Sequence, residues 1–271
     1  MSVGKVPYNP ERPDMRLLRV AVFERLRRDP QWKHCPNSSS GFSEYVDMSH
    51  PRASAILGFH VGEVVWQLLS EGVLAPGFDS SNPNLPWFHV TELGRSVLES
   101  QGPNPFDPDG YIEVVQRKIP KADPTVLTYL AESLNTQRRG NLIASAVMLG
   151  IAAERVFLLL CQSFLAALRG PKEKKDFGAI IDRFPMKPKA DWVRAKIEAL
   201  QAAKVPGIPE TAGLMIVAIY DLIRQQRNEL GHPRETPPAL TRDDVLGGIQ
   251  IFVRYYETAE TFRAFLSTNH V

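Results

Sequence analysis

The sequence lacks the features by which several classes of protein are identified. Its 271 residues include only two cysteines, Cys35 and Cys161, too few for a disulfide framework or a four-thiolate metal site and compatible with a reducing compartment. No run of about 18 apolar residues is present, because the most apolar stretch, 142–168, contains Glu154 and Arg155. The first residues carry prolines and charges where a signal peptide has an apolar core. We therefore expect a soluble, cytoplasmic protein that does not contact a membrane.

The chain also lacks an excess of charge of either sign. The chain has 32 Lys and Arg residues against 30 Asp and Glu, a net charge of +2, and its first 100 residues hold 10 basic and 11 acidic side chains. Proteins that bind nucleic acid through bulk electrostatics are strongly basic, so this mode of binding is excluded. Local basic clusters, such as 172–175, are typical of solvated faces.

Signatures of cofactor and metal enzymes are missing as well. There is no Walker loop, no GxSxG and no HExxH, so we predict no cofactor. His34, Cys35 and His50 are ligand types for a metal, but an adjacent His-Cys in a Pro/Ser loop is mostly accidental, and we predict no metal site. The segment DPDG (107–110) begins like a calcium loop without the later acidic ligands, which predicts a turn.

A proline-rich segment, QGPNPFDPDG (101–110), divides the chain into two predicted domains, 1–101 and 102–271. Before it, Asp14 is a candidate N-cap and Gly72 a helix stop. The pattern there predicts three helices and one hairpin: helix 14–28, helix 60–71, a hairpin formed by VLAPG and WFHV, and a helix at 92–100 that Thr91 and Glu92 can cap. This is the order of a winged helix-turn-helix.

After the proline-rich segment every pattern is helical. Asp123 with Pro124 and Thr241 with Asp244 mark two helix starts. Residues 141–169 are apolar almost all round, which predicts a central, buried helix. The other predicted helices span 124–137, 172–184, 189–203, 211–230 and 242–267. Short proline-rich loops favour an antiparallel bundle, so the fold class is mainly α with one small hairpin.

The end of helix 211–230 carries the residues best suited to chemistry. Tyr220, Arg224, Arg227 and Asn228 fall on one side of the predicted helix, Gly231 ends it, and His232 follows directly. Guanidinium, amide, phenol and imidazole groups can hold a phosphate and move a proton near neutral pH.

Glu154 occupies an otherwise apolar row of the predicted helix 141–169. A carboxylate there needs a partner, because burying it unpaired is expensive. Two interpretations stay open: a structural ion pair between helices, or a carboxylate that orients Arg224, Arg227 or His232 from the neighbouring helix.

The segment LIRQQRNELGHP (222–233) resembles the HEPN superfamily, whose marker is an Arg followed after four to six residues by a His, with a polar residue such as Asn directly after the Arg. Arg227, Asn228 and His232 match this marker, and GIAAERVFLLL (150–160) resembles the acidic helix that precedes it. The segments EVVWQLLSEGVLAPG and LPWFHVTELGRSVL look like the winged-helix module that often precedes HEPN domains. Arg28 with His34 and Arg263 with His270 have a similar spacing but lack the Asn and the helix end.

The resemblance implies a metal-independent endoribonuclease of a prokaryotic antiviral defence or toxin system. It would act as a homodimer formed through the bundle, each subunit giving an Arg–His pair to one cleft. His232 would take or give the proton, Arg227 would stabilise the phosphorane, and Asn228 would position the phosphate or the imidazole, with Glu154, Arg224 and Tyr220 in support. Some family members carry a tyrosine two residues after the His, and here that position is Arg234, which puts a nucleotidyltransferase partner in doubt.

Alternative functions remain. The predicted recognition helix, HVGEVVWQLLSEG, holds Glu63 and Glu71 and no Lys or Arg, which favours dimerisation or protein contact over sequence-specific DNA binding. The first alternative is a non-catalytic regulator or interaction module that binds DNA or a protein partner through the winged helix. The second is a scaffold subunit that retains an inactive site.

Overall fold

The computed structural model describes residues 5–29, 31–34, 41–99, 105–183, 185–208, 216, 220, 229–230, 235–236 and 239–271. Within these residues it contains nine helices and a two-stranded antiparallel sheet, which confirms the mainly α class. The chain forms two compact units, Met1–Asp109 and Gly110–Val271, called unit 1 and unit 2 below.

Unit 1 begins with α1 (Met15–Arg28), α2 (Ala53–Ser70), β1 (Leu74–Pro76), β2 (Phe88–Val90) and α3 (Glu92–Glu99). The remaining helices are α4 (Pro108–Lys118), α5 (Pro124–Arg138), α6 (Leu142–Ala167), α7 (Pro171–Ile181), α8 (Lys187–Ala202) and α9 (Arg242–Thr268).

Local sequence signals fix the first and last helices of unit 1. The Asp14 side chain accepts hydrogen bonds from the backbone N–H groups of Arg16 and Leu17, which confirms the predicted start of α1. The Thr91 hydroxyl accepts from the N–H of Gly94 at 2.9 Å and donates to the carbonyl of Gly72 at 2.6 Å. Thr91 therefore starts α3 and ties it to the end of α2.

The predicted hairpin is confirmed: β1 and β2 pair antiparallel, with Ala75 opposite His89. Its approach to α3 depends on Gly94, because a Cβ built there would lie 2.2 Å from the Val73 carbonyl oxygen. A side chain at this position would push the helix away from the hairpin.

The start predicted for α2 at residue 60 was wrong, since the helix begins at Ala53. Ala53, Leu57 and Gly58 are buried on the same stripe as Val61 and continue it towards the N-terminus. Ala53, Ser54, Ala55 and Gly58 are small and give little apolar signal in the sequence, so the first two turns were missed.

An ion pair is buried between α1 and the end of α2. The Arg19 guanidinium donates to both carboxylate oxygens of Glu71, one of them at 3.2 Å, and each side chain is only 5% exposed. Burying both charges is tolerated because the geometry is bidentate and each charge neutralises the other.

Helix α6 is the centre of unit 2 and packs against α5 and α9. By length and composition it is the one helix among the described residues that would suffice to cross a membrane, and half of its apolar stretch is buried inside the protein. Ser133 of α5 and Ser145 of α6 exchange hydrogen bonds with each other's backbone carbonyls at 3.0 and 2.7 Å, which satisfies two buried hydroxyls where these helices meet. This is the burial expected of a central bundle helix.

Capping residues again fix the helices of unit 2. Asp123 caps α5, and Thr241 with Asp244 forms a capping box at α9, as predicted. Helices α6, α7 and α8 lie within a few residues of their predicted bounds. Most of the predicted helix 211–230 lies outside the described residues; within it Tyr220, Glu229 and Leu230 are helical.

Helix α4 was not predicted, and the turn expected at 107–110 was wrong, because α4 begins at Pro108. Proline fits a first helical position, where its missing N–H costs nothing. Tyr111, Val115 and Ile119 follow at intervals of four residues, and all three are buried. The missed stripe is short and is interrupted by charged residues in the sequence.

The cap of α5 gives a stability prediction. Asp123 accepts hydrogen bonds from Arg155, at 2.9 Å, and from the N–H groups of Thr125 and Val126, and the Arg155 hydrogen bond is the largest cause of the lowered pKa of Asp123. We expect Asp123→Ala to cost about 1 kcal/mol of unfolding free energy at pH 7. A lowered pKa stabilises the fold above the unfolded value of about 3.9, and this contribution disappears as the pH falls through the folded pKa.

Chemical denaturation at several pH values measures the effect. The deficit of Asp123→Ala should shrink below about pH 4, and Asp191→Ala, an exposed position of α8, should stay within about 0.5 kcal/mol throughout. A deficit that is independent of pH would contradict the ionic role of Asp123.

Candidate functional site

The centre of the predicted site, Arg224, Arg227, Asn228 and His232, lies outside the described residues. The structure describes the two other predicted members, Glu154, which is part of α6, and Tyr220. The surroundings of these two residues are therefore the part of the predicted site that can be described.

Tyr220 lies in the core of unit 2. Its side chain is fully buried, and its ring stacks on that of Phe157 of α6, with centroids 4.2 Å apart and planes 13° apart. The sequence grouped Tyr220 with the polar side of its helix, whereas the structure places the ring among apolar groups, where burial of a large aromatic surface stabilises it. The stacking fixes residue 220 against α6.

Glu154 lies close to this contact. It precedes Phe157 by three residues on α6 and therefore sits on the same side of the helix, about 4.5 Å along its axis. The Glu154 side chain is half-buried, at the margin of the apolar face. Glu154 thus lies about one turn along α6 from Phe157, the residue on which Tyr220 stacks.

Two further tyrosines hold α9 in place. The Tyr255 hydroxyl donates to the Ala153 carbonyl at 3.2 Å, and the Tyr256 hydroxyl accepts from the N–H of Asp123 at 2.6 Å. Burial raises the pKa of Tyr255 well above its ordinary value and that of Tyr256 to about 12. Both phenols stay neutral at physiological pH and are core residues.

Cys161 is buried on α6, and burial raises the pKa of its thiol to about 12. A thiol is nucleophilic only when deprotonated, so Cys161 is an apolar core residue. Nucleophilic chemistry by this cysteine is excluded.

Among the described residues no group of three or more His, Cys, Asp or Glu is arranged to hold a metal ion. Of the three possible ligands noted in the sequence, Cys35 lies outside the described residues. His34 packs edge-on against Trp87, with ring centroids 4.8 Å apart, and the Nδ1 atom of His50 accepts from the N–H of Arg52.

In the two other Arg–His pairs with a similar spacing, Arg28 with His34 and Arg263 with His270, the side chains contact other groups. Arg28 pairs with Glu24 at 3.3 Å. Arg263 pairs with Glu260 and donates from Nε to the Ser163 hydroxyl at 3.1 Å. His270 places Nδ1 3.3 Å from the carbonyl oxygen of Ala167. Both arginines already have carboxylate partners, which makes these pairs suitable controls for the motif.

Sequence reasoning missed a cavity of about 630 Å³ inside unit 1, bounded by the end of α1, the hairpin and α3. Its lining comes from segments far apart in the chain, and no local motif marks it. The sequence signals that could have indicated it are a cation and an aromatic ring in loops, Lys33 and Phe78.

Comparison of the chain with protein-family models, with curated proteins and with solved structures gives no match. The resemblances to the HEPN and winged-helix modules therefore stay predictions from the sequence.

Proposed function

We propose that this protein is a metal-independent endoribonuclease of the HEPN type in a cytoplasmic prokaryotic defence or toxin system. Unit 1, with the element order of a winged helix, would control assembly or target engagement. One observation supports the proposal: Tyr220, seven positions before Arg227 in the sequence, stacks on Phe157 of the helix that also carries Glu154.

The spacing along both segments supports a role for Glu154. In the predicted helix Arg224 follows Tyr220 by one turn, while Glu154 precedes Phe157 by about one turn. If the two helices run antiparallel, as the predicted bundle requires, Arg224 meets Glu154. We infer that Glu154 orients Arg224 and leaves Arg227, one turn further on, to bind phosphate.

The chemistry follows from the residue types. His232 accepts the proton of the RNA 2′-hydroxyl, and the 2′-oxygen attacks the adjacent phosphorus. The bond from phosphorus to the 5′-oxygen then breaks, and an imidazolium of the cleft gives a proton to the leaving 5′-oxygen. Arg227 stabilises the charge of the phosphorane and Asn228 donates a hydrogen bond to it. The products are a 2′,3′-cyclic phosphate and a 5′-hydroxyl. A homodimer formed through unit 2 would bring two such pairs to one cleft.

Incubation of the full chain with transfer RNA and with a defined single-stranded oligoribonucleotide, in the presence of EDTA, tests the proposal. We expect cleavage at an unchanged rate in EDTA, with cyclic phosphate at the new 3′ ends. Cleavage that stops in EDTA and returns with a divalent cation would contradict it.

A second candidate function, a non-catalytic interaction module, is favoured by the surface of α2. Phe59 and Trp66 are 75% and 65% exposed, Glu63 lies between them in sequence, and Ala53–Ser70 contains no Lys or Arg. Reading a major groove needs basic or amide side chains, and α2 offers only the amide of Gln67, so this surface suits protein contact better than DNA.

Gel retardation with genomic duplex fragments at physiological salt distinguishes these cases. We expect no sequence-selective retardation by the full chain, because its first 100 residues hold 10 basic and 11 acidic side chains. Nanomolar retention of one fragment would make the DNA-binding regulator the better proposal.

A further inference from the structure

The cavity of unit 1 has the size of a small-molecule site. Its volume of about 630 Å³ lies within the range of roughly 300–1,000 Å³ that such sites occupy. Leu26 of α1, Val90 of β2 and Leu98 of α3 form apolar parts of its wall. All the residues that line the cavity belong to unit 1 and none is part of the motif, so what it binds goes beyond the proposed function.

Aromatic rings give the cavity a flat surface. Trp32 is buried and fixed, edge-on, between Phe42 and Phe88, with both centroid distances 5.3 Å. Phe78 stacks on Trp87 with planes 27° apart and is still 40% exposed. An exposed phenyl ring at the mouth of an apolar cavity can stack against a flat ligand ring.

Positive charge lies beside this ring. The Lys33 ammonium is 4.1 Å from the centre of the Phe78 ring, and among the described residues it has no carboxylate partner. Arg27 and Arg95 also line the cavity. Among the described residues Arg95 pairs with Glu92 in an exposed geometry that contributes little. Arg27 pairs with Glu24 at 3.0 Å and donates from Nε to the Leu98 carbonyl at 2.9 Å, which leaves other N–H groups of its guanidinium for an anion. An anion that enters the cavity can therefore bind Lys33, Arg27 and Arg95.

The remaining polar groups determine what else the ligand must carry. Asp29 and Glu99 line the cavity, and their carboxylates repel a plain aromatic acid but accept hydrogen bonds from hydroxyl or amino groups. His89 places Nδ1 2.7 Å from the Gly77 carbonyl, which can only accept, so Nδ1 carries the hydrogen and Nε2 is the acceptor of the neutral ring.

We propose that this cavity binds a nucleoside phosphate. Lys33 turns from the face of the Phe78 ring to bind the phosphate together with Arg27 and Arg95, and the base stacks on the ring face that Lys33 leaves. The carboxylates of Asp29 and Glu99 accept from ribose hydroxyls or base amines. A nucleotide is the common ligand that combines a flat ring, several donors and an anionic group. It is either a free nucleotide or the end of an RNA strand.

Isothermal titration calorimetry of the full chain tests this with two probes. One is the set of four ribonucleoside 5′-monophosphates, and the other is a 5′-phosphorylated, 2′-O-methylated tetranucleotide, which 2′-hydroxyl attack cannot cleave. Tighter binding of a mononucleotide identifies a free nucleotide, and tighter binding of the tetranucleotide identifies a strand end. Binding of neither, or equal binding of benzoate, would overturn the proposal.

Variants locate the site. Lys33→Ala and Phe78→Ala should each weaken binding at least about tenfold, since base–aromatic stacking alone is of this size. Lys5→Ala and Phe59→Ala, which remove the same side-chain types from exposed positions of unit 1, should bind as the wild type does. If Phe78→Ala does not fold, Phe78→Leu keeps the apolar volume and removes the stacking face. Wild-type affinity in the folded cavity variants would overturn the proposal.

Discussion

Arg227→Ala and His232→Ala should each lower the rate of RNA cleavage by about 10²–10⁴-fold, the contribution typical of a general acid–base group or of a charge placed at the transition state. His232 follows the glycine that ends the predicted helix, and Arg227 is a charged residue of that helix, so we expect both variants to fold. Cleavage in EDTA, measured with thermal unfolding and sedimentation of each variant, separates lost chemistry from lost folding or association.

Arg28→Ala and His270→Ala are the matched controls. They remove the same residue types from pairs with a similar spacing, but Arg28 is bound to Glu24 and His270 lies near the Ala167 carbonyl. Both should cleave at the wild-type rate. Equal loss in the controls and the motif variants would mean that general charge, not this motif, supports the activity.

Glu71→Ala should destabilise unit 1 by about 3–5 kcal/mol, because it leaves the buried Arg19 guanidinium without its carboxylate. The internal control is Arg95→Ala, which breaks another Arg–Glu pair of unit 1 whose side chains are 54% and 90% exposed. That change should cost at most about 1 kcal/mol.

Urea unfolding followed by tryptophan fluorescence measures both variants. Combining Arg19→Met with Glu71→Leu should recover most of the lost stability, since an apolar pair avoids the desolvation of two charges. Similar losses for Glu71→Ala and Arg95→Ala would show that burial does not govern the strength of this pair.

Elements whose signals are local could be predicted from the sequence. Asp14, Asp123 and Thr241 each accept hydrogen bonds from N–H groups two or three residues further on, so a few adjacent residues suffice to identify the start of the helix. The hairpin and the central helix α6 follow in the same way from short-range apolar patterns. By contrast, α4 and the start of α2 depend on small or isolated apolar residues whose burial only the tertiary structure reveals.

The candidate site could likewise be predicted only where its signals are local in the sequence. The sequence supplies the residue types of the motif and the unusual carboxylate Glu154, but not which helix faces which. The stacking of Tyr220 on Phe157 and the cavity around Lys33 and Phe78 each join segments distant in the chain, and only packing decides such contacts. The buried position of Tyr220 could not be derived from its place on a helical wheel.

A single 2′-deoxy substitution in the RNA tests the central claim most directly. Once the cleavage position of a defined oligoribonucleotide is mapped, the ribose on the 5′ side of that phosphate is replaced by deoxyribose, and the reaction is repeated in EDTA. Attack by the 2′-hydroxyl predicts that cleavage at this position is lost while other positions are cut as before. Continued cleavage at the deoxy position would show that the 2′-oxygen is not the nucleophile and would contradict the proposed activity.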